Sequence, residues 1–288
     1  MPAAIPLRPA PAALNLLRAV ALAWAALLCA PAMAALTPDV ALAPRTGGAW
    51  WTPFADPVLD GLVARAAGSD TAQRAIVQAY VGVRMLQARV GLAERLQQAL
   101  AKERELAEQA EGGAQAPLAA TLGARADEVQ RVQQAMAAEL ERQQLTLAAL
   151  SRGELPRLQA SLADGAGTLP QVAWSVPFSL RRTAQGDDAV LPALQSAAAQ
   201  VQQAGQLVQA SELELRARQL RQGAGAESQL AVLESFQRLL ADGDRLATAQ
   251  GALALAWAEL LQGLPADELP RLAAQLTVRD TGPAPRAP

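Results

Sequence analysis

The sequence contains no histidine in 288 residues. Its absence removes the side chain most used for proton transfer near neutral pH and the commonest transition-metal ligand. Aromatics make up 3% of the chain, with a single tyrosine, which excludes a thick aromatic core and suits alanine-rich helices packed at close range. The one cysteine, Cys29, cannot form a disulfide framework. The formal charge of −2 comes with no basic cluster, so nothing marks a nucleic-acid partner. The apolar run AVALAWAALLCA (19–30) is shorter than a bilayer-spanning helix requires.

That run has a different use. Arg8 and Arg18 precede or border it, and Ala32-Met33-Ala34 comes after it as a small-x-small cleavage site. Residues 1–34 therefore read as a secretory signal peptide, and the mature protein as exported. Cys29 comes after Leu28 rather than the small residue that lipidation needs. Loss of Arg8 and Arg18 with the leader leaves 23 basic residues against 27 acidic, too small an imbalance to select a class of partner.

The remainder is dominated by helical periodicity. Residues 35–69 carry Trp50-Trp51 and a short helix, for which Asp56 is the predicted cap, Pro57 the first-turn residue, and Leu59 and Leu62 the inward face. Residues 70–156 read as a long hairpin. Ile76, Ala79, Val83, Leu86, Val90, Ala93 and Leu100 form a heptad seam interrupted at Gln97. EGGAQAP (111–117) makes the turn, and Val129, Val132, Met136, Leu140, Leu147 and Leu150 line the return helix. Gly153 is the expected stop, with Pro156 beyond it. Residues 157–189 read as an irregular linker.

A second hairpin is predicted over 190–265. Leu194, Val201, Val208 and Leu215 recur every seven residues, as do Val232, Leu239, Leu246, Leu253 and Leu260, with RQGAGAES (221–228) between them. Gly113-Ala114 with Leu118 overlays Gly225-Ala226 with Leu230 at a shift of 112 residues. The expected fold is thus all-α, two tandem helix–turn–helix hairpins from an internal duplication, with little or no β structure. Residues 266–288 form a Pro-rich tail.

Four stretches, taken in order, are similar to TolC-type outer-membrane efflux proteins of the branch serving resistance-nodulation-division pumps. They are the Trp50, Trp51, Phe54, Asp56, Pro57 segment, the long stretch AYVGVRMLQARVGLAERLQQALAKERELAEQAEGGAQAPL (79–118), VPFSLRR (176–182), and LRQGAGAESQLAVLESFQRLL (220–240). The resemblance implies a trimer with a helical tube in the periplasm, anchored by barrel strands in the outer membrane. It also implies that the turns, around Gly113, Ala114 and Leu118 and around Gly225, Ala226 and Leu230, dock a periplasmic adaptor joined to an inner-membrane pump. The chain departs from the family where the barrel strands belong, since ARAAGSD (64–70) runs almost directly into a helix. One candidate strand, QVAWSVPFSL, cannot close a barrel whose edges must all be paired. The expected role is therefore a transport component that does not form the membrane pore alone. The alternative is a periplasmic coiled-coil scaffold or holdase derived from the family.

No catalytic constellation accompanies these helices. Asp187-Asp188, Asp242/Asp244 and Glu139/Glu141 are neighbouring carboxylates without a histidine or further ligand. The two glycine-rich turns come after no strand and lack a phosphate-loop lysine. The chain is expected to be no enzyme and to need no cofactor or metal.

Overall fold

The computed structural model describes residues 49–65, 69–109, 116–170 and 190–264. Among these residues the protein is all-α, with α1 (Pro57–Arg65), α2 (Asp70–Gln109), α3 (Ala116–Leu150), α4 (Leu155–Ala163), α5 (Val190–Gly223) and α6 (Gln229–Gly263), and no strand. The signal peptide, the first turn with Gly113 and Ala114, the VPFSLRR stretch and the Pro-rich tail lie outside the described residues.

Each hairpin packs on itself, α2 on α3 and α5 on α6, and the two are joined by α2 against α6. The packed order is α3–α2–α6–α5, so α2 and α6 are inner helices while α3 and α5 form the flanks. The short helices α1 and α4 lie against α2 and α3 respectively.

Burial is uneven along these rods. The main apolar cluster gathers Trp50, Phe54, Leu59, Leu62 and Val63 with Ile76, Val77, Tyr80 and Val81 of α2, and with Leu253, Trp257 and Leu261 of α6. Leu147 of α3, Leu158 and Leu162 of α4, and Leu194 and Val201 of α5 complete it. Each fully buried leucine or valine contributes about 1.5–3 kcal/mol, so this end, away from the turns, anchors the molecule. The aromatic cluster at the start of the described chain is explained by that packing. Trp50 and Trp51 meet edge to face at 6.0 Å, and Phe54 is buried in the same cluster.

Asp56 caps α1 as its sequence position predicts. The backbone N–H groups of Val58 and Leu59 donate to its Oδ1 at 2.9 and 3.2 Å, satisfying donors that a helix start leaves open. Its Oδ2 accepts a 2.5 Å bond from the Tyr80 hydroxyl. Arg84, one turn on, donates from Nε to that same hydroxyl at 2.9 Å. The Arg84 guanidinium also reaches the carbonyls of Leu162, Asp164 and Gly165, filling the orphan acceptors at the end of α4. Tyr80 and Arg84, one turn apart on α2, therefore tie the two short helices to the long ones.

Several expectations are corrected. The stretch expected to be irregular from 157 begins inside α4, because Leu155, Leu158 and Leu162 share one face and the latter two are buried. Pro156 opens that helix instead of trailing the previous one. At the end of α3 the left-handed residue is Arg152, φ 51°, and not Gly153. The bonds Gly153 N–H to Ala148 O and Arg152 N–H to Ala149 O define a Schellman closure around it. On α2 the seam turns away from Val90 and Gln97 to bury Arg89 and Leu96. On α6 the predicted heptad of Val232, Leu239 and Leu246 is half-buried. Gln237, Leu240, Asp244, Ala247 and Gly251 occupy the buried stripe there.

Candidate functional site

The relation of the two turns comes from the α2–α6 pairing. Arg89 bonds Asp244, and farther up α2 Glu103 bonds Gln237. As residue numbers rise on α2 they fall on α6, so the helices are antiparallel. The end of α2 at Gln109 and the start of α6 at Gln229 therefore share one end of the molecule. The flanking segments of both predicted docking turns are brought together there, opposite the aromatic cluster.

The second turn is fully built. Gly225 N–H donates to Gln222 O at 2.9 Å and Ala226 N–H to Arg221 O at 2.8 Å, with Gly225 at φ 74°. This is a Schellman closure with glycine in the left-handed position. A Cβ at Gly225 would meet nothing within 4 Å, so the backbone conformation, not crowding, calls for glycine. Ser228 then caps α6, its hydroxyl accepting from Ala231 N–H at 3.2 Å. Glu227 accepts from Arg218 and Arg221 across the turn. Gly225 and Ala226 are exposed and Leu230 is half-buried. On the other hairpin Leu118, in the first turn of α3, is 39% exposed. Gly113 and Ala114 fall outside the described residues.

The inner seams carry polar groups where heptads call for apolar ones. Asp242 accepts from Ser211 of α5 at 2.5 Å and from Arg245 at 2.8 Å. Asp244 takes Arg89 at 2.8 Å. The neighbouring Asp242 and Asp244 are thus split between separate partners. Glu139 is paired with Arg142. Among the described residues no group of three acidic, histidine or cysteine side chains is placed to hold a metal ion. Asp187 and Asp188 fall outside the described residues. Burial pushes the Glu103 carboxyl above its ordinary value, with its bond to Gln237 and the charge of Arg125 opposing.

The flanks do not stand out in the sequence. The large apolar residues left exposed are Leu118 and Leu145 on α3 and Leu207, Leu213 and Leu220 on α5, with none on α2 or α6 among the described residues. On α5, Ala210, Leu213, Ala217 and Leu220 repeat at 3-4 spacing, on the face opposite the buried Val201, Ala204, Ser211 and Leu215. This second seam is legible as spacing. The stripe of valines and leucines facing α6 is more apolar and masks it.

No described helix is long and apolar enough to cross a membrane. Comparison of the chain with protein-family models, with curated proteins and with solved structures finds no match.

Proposed function

We propose that this chain is a TolC-like helical wall component of a cell-envelope export system. Copies join through the α3 and α5 flanks, and the two hairpin turns present a docking end to a periplasmic adaptor that is joined in turn to an inner-membrane pump. Transport is passive conduction along the assembled helices, and the chain does not form the membrane pore alone. The matching lengths of α3 and α6, 35 residues each, support descent of the two hairpins from one duplicated unit.

The observation that carries this reading is the distribution of exposed leucines. The helices pair in the order α3–α2–α6–α5, the inner pair is satisfied on both sides, and the apolar surplus sits on the flanks. Leu213 and Leu220 are 66% and 77% exposed on a heptad seam, the pattern by which a further helix is recruited. The helix ends that flank both turns share one end, so a single adaptor end can meet both.

The test combines crosslinked oligomer size, membrane fractionation and capture by adaptor. Closed oligomers recovered with the envelope, and adaptor capture weakened by changes at Leu118, Gly225 and Leu230 without loss of helicity, are expected. A monomer released by osmotic shock that captures no adaptor would overturn the proposal in favour of a periplasmic scaffold or holdase.

A further inference from the structure

We propose that the contact between Glu103 of α2 and Gln237 of α6 is a protonation-operated clasp. It holds the turn end of the inner helices together while Glu103 carries its proton, and loosens when the carboxyl ionises. This does not rest on the conduit reading.

Glu103 occupies an inward position in the stripe Leu96, Leu100, Glu103, Ala107, where a seam between helices calls for an apolar side chain. Three carboxylates are buried among the described residues: Glu103, Asp242 and Asp244. Asp242 and Asp244 are each met by an arginine, Arg245 and Arg89. Glu103 is hydrogen-bonded to a neutral amide. An amide serves either form of the acid: its N–H donates to a carboxylate, and its carbonyl accepts from a carboxylic acid. Ionisation therefore leaves the bond available but places an anion in a site without a paired cation, and buried charge of that kind favours exposure to water.

The charged groups facing Glu103 oppose each other. Arg125 of α3 favours the carboxylate and Glu234 of α6 disfavours it, with burial the larger influence on the acid side. Beyond Glu103 toward the turn, α2 buries only Ala107. On α6, Ser235 is buried before Gln237, and its hydroxyl has no hydrogen-bond partner. Among the described residues the clasp is thus the α2–α6 side-chain hydrogen bond nearest the turns. Its release reaches the turn end without disturbing the aromatic cluster.

The sign is fixed by comparing closed and open forms. In the open form Glu103 meets water and titrates as an ordinary carboxyl; in the closed form it holds its proton to higher pH. Closure is fully favoured below the ordinary carboxylate value and weakens as pH rises from there through the elevated one.

Hydrogen exchange of the mature full-length protein between pH 4.5 and 7.5, corrected for intrinsic rates, reads this directly. Peptides from residues 98–109 and 229–240 should lose protection several-fold as pH rises, while peptides covering 76–86 stay constant. Glu103→Gln should flatten that dependence, and Glu234→Gln, which keeps the clasp residue, should move it to lower pH. Arg125→Ala should move it to higher pH. A flat profile in the unmodified protein, an unchanged slope in Glu103→Gln, or no movement of the profile in Glu234→Gln overturns the proposal.

Discussion

Arg89 on α2 and Asp244 on α6, 155 residues apart in sequence, form a 2.8 Å salt bridge with both side chains almost wholly buried. The pair fixes the register in which the two hairpins meet. Removing one partner strands the other charge inside the seam, so Asp244→Ala is expected to cost about 3–5 kcal/mol. Replacing both, Arg89→Met with Asp244→Leu, should leave stability near or above the original value. Urea unfolding of the two variants separates the cost of a stranded charge from the worth of the pair.

At Gly251 of α6 the Met85 side chain of α2 occupies the space a Cβ would need. A Cβ there would lie 2.6 Å from Met85 Sδ and 3.1 Å from its Cγ. Gly251→Leu should destabilise by about 1–3 kcal/mol through overpacking. Gly205, in α5, has nothing within 4 Å of a built Cβ, and Gly205→Ala should stabilise by about 0.5–1 kcal/mol through helix propensity. Opposite shifts in thermal midpoint are the check.

Arg152 sits in the left-handed region at φ 51° to close α3. Glycine adopts that geometry without the Cβ penalty. Arg152→Gly should therefore raise stability by about 1 kcal/mol, whereas the same gain at Gly153 is not available.

Tyr80 is the only tyrosine. Burial, then its bond to Asp56, pushes its hydroxyl well above the ordinary tyrosine value, with Arg84 opposing. The folded protein should show no phenolate absorbance as pH passes about 10, the unperturbed value, and should gain it abruptly on unfolding. Because the folded value is the higher one, this contribution to stability is complete below the unfolded value and declines above it. A gradual phenolate signal in the native protein would contradict the buried geometry.

Leu213→Glu with Leu220→Glu should abolish the self-association proposed through α5 while changing monomer stability by less than about 0.5 kcal/mol, as surface substitutions do. Sedimentation at several concentrations reports the first effect and thermal unfolding the second.

Local pattern carried much of this protein. The long helices arise from 3-4 spacing with proline confined to first turns, and the Asp56 cap from its place before Pro57, because capping and periodicity involve residues a few positions apart. The RQGAGAES turn was readable for the same reason, while the left-handed Gly225 within it came from the structure. Helix α4 was legible in principle, since Leu155, Leu158 and Leu162 mark its face, but Pro156 opens a helix as readily as it trails one. Pairing within each hairpin was readable from its short turn, but which helices join the two hairpins was not. Heptad stripes on four rods are nearly interchangeable, and the choice of α2 against α6 depends on matches such as Arg89 with Asp244 and Gly251 with Met85. Those contacts join distant parts of the chain and involve groups that a one-dimensional pattern assigns to solvent. Burial of Glu103, Asp242 and Asp244, and exposure of Leu213 and Leu220, emerge only once the rods are assembled, because a side chain's surroundings are set by its neighbour's surface as well as by its own helix.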